Sequence, residues 1–92
     1  MRGAGQIARM RILYFAWLRT KIGFAEERVE PPEQVTDVAT LLRWLQGRGP
    51  GFAAALQDLS VVRVAVNQDY VKPSHRLDRD DEVALFPPVT GG

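Results

Sequence analysis

Few side chains in these 92 residues offer reactive chemistry, and that scarcity directs attention to the end of the chain. Cysteine is absent, so no disulfide, thiolate nucleophile or side-chain persulfide can form. The single histidine, His75, lies in a polar stretch between Pro73 and Arg76 and reads as a solvated loop residue, not a general base. Asp78, Asp80, Asp81 and Glu82 gather acidic groups, but Arg79 interrupts them and EF-hand spacing is lacking. Turn chemistry accounts for them, and no metal site is expected. Gly47, Gly49 and Gly51 neither follow a strand nor precede a P-loop lysine, which removes phosphate binding. If this chain carries sulfur, the remaining attachment point is the terminal carboxylate of Gly92, with Gly91 giving access.

The approach to that carboxylate is distinctive. Glu82-Val83-Ala84-Leu85-Phe86 reads as a strand that stops at Pro87-Pro88, since neither proline has an N–H to donate to a sheet. The chain should leave along a stiff, polyproline-like path through Val89 and Thr90 and loosen at the two glycines. Such a tip is narrow enough for a channel. Terminal Gly-Gly alone is weak evidence, because it arises by chance in roughly 0.5% of chains. The combination of apolar strand, rigid exit and glycine tip is much stronger.

The elements that must hold this tail follow from periodicity. Residues 11–16 are apolar on both faces (Ile12, Tyr14, Ala16 and Leu13, Phe15), which predicts a strand buried on both sides. Residues 17–22 suit a short helical turn ending near Gly23. Residues 26–30 suit a charged edge strand stopped by Pro31-Pro32. The clearest helix is 36–46, where Val38, Leu41, Leu42 and Leu45 form one apolar stripe and Thr36 is the expected N-cap. Trp44 lies off that stripe, at its margin. Gly47 and Gly49-Pro50-Gly51 end the helix, and 52–56 suits a second short segment. A β-branched strand at 61–66, a turn at 67–69, a return strand at 70–72 and a polar turn at 77–81 complete the pattern. The order gives an α+β fold, a mixed sheet on one main helix.

Composition limits the partners. An apolar fraction of 46% supports one small core. A formal charge of +1 gives no general attraction to nucleic acid or anionic membranes, and neither is expected as a partner. No apolar run reaches the length of a membrane span, and the opening residues lack a secretory pattern, so a cytoplasmic location is expected. Residues 1–9 have no period and read as an extension, 10–86 as the domain, and 87–92 as the tail.

Residues 81–92, Asp-Glu-Val-Ala-Leu-Phe-Pro-Pro-Val-Thr-Gly-Gly, resemble the C-terminus of the small subunit of molybdopterin synthase, a family of ubiquitin-like sulfur carriers. Ala65-Val66-Asn67-Gln68 and Tyr14-Phe15-Ala16, with Arg19 shortly after, are similar to further signatures of that family. The likeness runs from Met10 to Gly92. It implies a β-grasp fold and a Gly92 that is adenylated, converted to a thiocarboxylate and used to donate sulfur to cyclic pyranopterin monophosphate. It implies no tightly bound cofactor; ATP and Mg²⁺ serve the activating partner. The implied partners are a large subunit that carries the active site in a heterotetramer, a ubiquitin-activating-like adenylyltransferase and a sulfur donor protein. Phe15, Tyr70 and Phe86 map to positions that pack on the large subunit, and Pro87, Pro88, Val89 and Thr90 to the tail it receives. Taken alone, Phe15 and Tyr70 read as ordinary core, while Phe86, at the root of the tail, suits core and interface equally. The turn before the last strand often reads Asp-Gly-Asp in the family, whereas here it is Arg79-Asp80-Asp81. If that turn needs positive φ, Asp80 must supply it. Carriage of sulfur to another product such as thiamine, isopeptide modification of proteins, and passive binding are the competing readings.

Overall fold

The computed structural model describes residues 9–88. Its centre is a pair of parallel strands from opposite ends of the chain, β1 (Met10–Tyr14) and β5 (Glu82–Phe86), with Arg11 beside Glu82 and Tyr14 beside Leu85. The edge strand β2 (Glu26–Val29) runs antiparallel to β1. On the other side β3 (Arg63–Val66) runs antiparallel to β5, and the two-residue β4 (Asp69–Tyr70) follows β3. The five strands lie in the order β2-β1-β5-β3-β4. The last strand is therefore internal, and the tail leaves from the middle of the sheet.

Alternation along the strands sends Met10, Ile12, Tyr14, Val64, Val66, Val83 and Leu85 to one face. The main helix α2 (Val38–Gln46) covers it with its predicted stripe, and Val38, Leu41, Leu42 and Leu45 are all buried. Each such side chain stabilises the fold by roughly 1.5–3 kcal/mol. Trp44 packs at the core margin, as its position off the stripe predicts. The cap differs from expectation: Asp37, not Thr36, is the N-cap. Its carboxylate accepts from the Thr40 amide at 2.9 Å while the Thr40 hydroxyl accepts from the Asp37 amide at 3.1 Å. A reciprocal box of this kind satisfies two free amides, which Thr36 would have no partner to do.

Two short helices flank α2. The first, α1 (Ala16–Ile22), ends at Gly23, whose φ of 105° admits the left-handed cap. The second, α3 (Pro50–Ala55), starts with the proline in its first turn, so Gly47 ends α2 while Pro50 and Gly51 belong to α3. A Cβ on Gly51 would stand 2.6 Å from the Lys21 carbonyl, so glycine is what lets α3 cross so close to α1.

Several boundaries depart from the periodicity. Strand β1 is not buried on both faces: Leu13 is half-buried, Phe15 is 48% exposed, and Ala16 turns at φ 56° into α1. The described helices all pack into the one core, so the second face of the sheet has no covering layer among the described residues. Val61 belongs to a 3-10 turn (Leu59–Val61) held by the Asp58 carboxylate, and β3 starts two residues later than expected. The β3–β4 turn is the pair Asn67-Gln68, at φ 50° and 76°, the geometry of a type I′ hairpin, and β4 ends at Tyr70 instead of reaching Lys72. Asp80 does not carry positive φ. Buried Asp81 closes that turn instead, accepting from the Asp78 amide at 2.8 Å.

Candidate functional site

The exit of the last strand is built from both faces of β5. Val83 and Leu85 anchor it in the core, which forces Ala84 and Phe86 outward. The Leu85 carbonyl accepts from the Phe15 amide at 3.1 Å, and Phe86 lies beside Arg63 of β3. The strand is thus held on both sides up to its last residue. Pro87 and Pro88 follow, both half-buried.

Phe86 is the centre of an aromatic cluster on the uncovered sheet face. Its ring meets Phe15 edge-on at 6.4 Å and Tyr70 at 5.5 Å, with interplanar angles of 83° and 61°. Phe15 is 48% exposed, Tyr70 74%, and Phe86 half-buried. Strand register continues the surface: Leu13, Ala84, Ala65 and Tyr70 stand side by side across β1, β5, β3 and β4. The two alanines keep it flat. At its far end Arg11 pairs with Glu26 and Glu82, each at 3.0 Å, giving a charged border. The Glu26 carboxyl is held below its ordinary value by the Arg11 hydrogen bond and charge. The three aromatics predicted from the sequence are therefore brought together, at the root of the tail and outside the core. Val89, Thr90, Gly91 and Gly92 lie outside the described residues.

Two supporting networks were not anticipated. The Asn67 side chain donates to Asp81 at 2.9 Å and accepts from the Glu82 amide at 3.0 Å, while its own amide donates to the Glu82 carbonyl at 2.8 Å. This clamp sets the register at which β5 begins, and so where it ends. An Asn at a positive-φ turn with an Asp just before the final strand was the available signal. Behind the sheet, the Tyr14 hydroxyl donates to Glu27 at 2.6 Å, and Arg48 donates to the same carboxylate at 2.7 Å. Arg48 also lies over Trp44 and Phe52, at 5.0 and 4.9 Å from their ring centres. Burial, then the Glu27 hydrogen bond, pushes the Tyr14 hydroxyl well above its ordinary range, so it stays a neutral donor.

Among the described residues no group of His, Cys, Asp and Glu is placed to hold a metal, and no helix is long and apolar enough to cross a membrane. His75 is exposed in its loop. The described site offers a surface for display and recognition, with no paired nucleophile and base.

Five mixed strands curled over one main helix, with the first and last strands parallel at the centre, define a ubiquitin-like β-grasp protein. The chain belongs to the ThiS family, whose model matches residues 12–92. It is 36% identical over 83 residues to the molybdopterin synthase sulfur carrier subunit of Escherichia coli, a match spanning 90% of this chain and 99% of that one. Among solved structures it is similar to a molybdopterin converting factor subunit 1 from Pyrococcus furiosus, with a TM-score of 0.72, 29% identity, and coverage of 90% and 100% of the two chains. It is also similar to small archaeal modifier protein 1 from Haloferax volcanii, with a TM-score of 0.69, 26% identity, and coverage of 90% and 100%.

Proposed function

We propose that this protein is the sulfur carrier subunit of a molybdopterin synthase. The observation that supports this most is the exposed Phe15–Phe86–Tyr70 cluster at the point where β5 becomes the tail. It offers a receiving protein an aromatic anchor beside the reactive end, and aromatic residues in this setting carry much of the energy of an interface. The relatives' name as a carrier subunit supports the same assignment.

On this reading the Gly92 carboxylate attacks the α-phosphorus of ATP in an activating enzyme, releasing pyrophosphate and leaving an acyl-adenylate. Hydrosulfide released by a donor protein then attacks the acyl carbon and gives up its proton. The bond to AMP breaks, AMP departs with its electron pair, and a thiocarboxylate remains. Its sulfur is nucleophilic at neutral pH, and the large subunit presents it to cyclic pyranopterin monophosphate. The chain's own contribution is positional: the core fixes β5, the clamp at Asn67 fixes its register, and the aromatic face docks the partner. Mg²⁺ and ATP belong to the activating enzyme.

The reading is tested by incubating the chain with an adenylating enzyme, ATP and a sulfur donor and weighing it intact. Replacement of one oxygen by sulfur is expected. An unchanged mass would contradict it. A second reading, attachment to lysines of other proteins, draws support from the likeness to the archaeal modifier. It predicts higher-mass conjugates in the same experiment.

A further inference from the structure

The sheet has an edge that is closed over only part of its length. Strand β4 pairs with Ala65 and Val66 of β3, and beyond it the Val71 amide donates to the Val64 carbonyl at 3.1 Å. The Val64 carbonyl thus points away from β5, and its own N–H, on the same side of the strand, points the same way. That N–H meets no backbone acceptor among the described residues. Two residues earlier, the alternation of the strand turns the Val62 carbonyl to the same edge. An acceptor and a donor two residues apart are what an added strand of either direction requires.

Beneath this edge a groove of about 480 Å³ runs between α2 and β3. Leu42, Leu59, Val62 and Val71 give it an apolar floor, and Arg43 and Arg63 also line it. Neither arginine makes an ion pair among the described residues. The nearby Asp37 carboxylate is engaged in capping α2 through Thr40.

We propose that the outer edge of β3 is a docking site for an extended acidic segment of a partner protein, added to the sheet as a further strand. Backbone pairing at Val62 and Val64 supplies affinity, the groove takes apolar side chains from alternate positions, and the two arginines select carboxylates. A second copy of this chain does not suit the edge. Two-fold pairing would set Arg63 directly opposite Arg63, a destabilising like-charge contact. The groove adjoins the aromatic face through Tyr70, which lines it, and Arg63, which stands beside Phe86, and the proposal does not depend on the chemistry of the tail.

The probe is a blocked hexapeptide alternating valine and aspartate, compared with a counterpart carrying lysine for each aspartate, titrated into the isotope-labelled full chain. The aspartate peptide should shift Val62, Arg63 and Val64 saturably and slow exchange of the Val64 amide by at least about tenfold. The lysine peptide should do neither. Combining Arg43→Glu with Arg63→Glu, both at exposed positions, should reverse the preference. Arg63→Gln alone should weaken the aspartate peptide without admitting the lysine one. The proposal is overturned by an absent response, by equal responses to both peptides, or by shifts confined to Phe15 and Phe86. A Val64 amide already protected in the free chain would also overturn it.

Discussion

Replacing Phe86 and Leu85 separately by alanine should divide binding from folding at adjacent residues. Leu85 is fully buried under α2, so Leu85→Ala should cost roughly 2–5 kcal/mol through the cavity it leaves. Phe86 points to the uncovered face, half-buried, against two rings that are themselves largely open to solvent. Its removal forfeits two edge-on contacts, each worth about 0.5–1.5 kcal/mol where fully formed, less at this exposure. A fold cost near 1–2 kcal/mol follows, which for a domain this small lowers Tm by about 4–16 °C. Against the large subunit the order should invert. A central aromatic anchor typically costs about 2 kcal/mol or more on truncation, close to a thirtyfold rise in Kd. Denaturant unfolding of each variant alone, and calorimetric titration of each with the large subunit, gives both quantities. If Phe86→Ala loses as much stability as Leu85→Ala yet binds normally, Phe86 is core and the docking face is misassigned.

Other perturbations test the framework that holds the face. Leu42→Ala, on the buried stripe of α2, should cost roughly 2–5 kcal/mol by denaturant unfolding, and a loss below about 0.5 kcal/mol would mean the helix presents another face. Gln68→Gly should stabilise by about 0.5–1 kcal/mol, because the left-handed strain that glycine removes at φ 76° exceeds the unfolded-chain entropy it adds. The Thr40 amide and hydroxyl hold the Asp37 carboxyl below its ordinary value. Its contribution is therefore complete above the unfolded value of about 4 and is lost as pH falls through the lower folded value. Asp37→Asn keeps a cap but should flatten that part of the stability–pH curve; an unaltered acid limb would place the effect elsewhere.

The parts of this fold that were legible in the sequence are those where one local signal dominates. The α2 stripe, the helix stop at Gly23 and the end of β5 before the prolines each rest on periodicity or on one residue's backbone limits. The misread positions depended on partners distant in sequence or on a reciprocal contact. Thr36 and Asp37 are both good caps, and only the reach of Thr40 decides between them. Leu13 and Phe15 look like a second buried face, since apolarity cannot say that no layer covers that side of the sheet. The Asn67–Asp81 clamp joins residues whose proximity requires β3 and β5 to be paired. The aromatic cluster became specific in the same way: three separate aromatics acquire a shared meaning when β1, β4 and β5 bring them to one edge of the tail.

The central claim is that Gly92 is the working end, and it is tested most directly by the intact mass of the chain after activation, with and without one added alanine. The extra residue moves the carboxylate about 3.3–3.6 Å along an extended chain, as much as the whole approach distance of roughly 3–3.5 Å that reacting atoms require. The native chain should exchange one oxygen for sulfur, while the extended chain should melt unchanged and stay unloaded. Sulfur loading of the extended chain, with mass spectra showing the alanine still in place, would contradict the account.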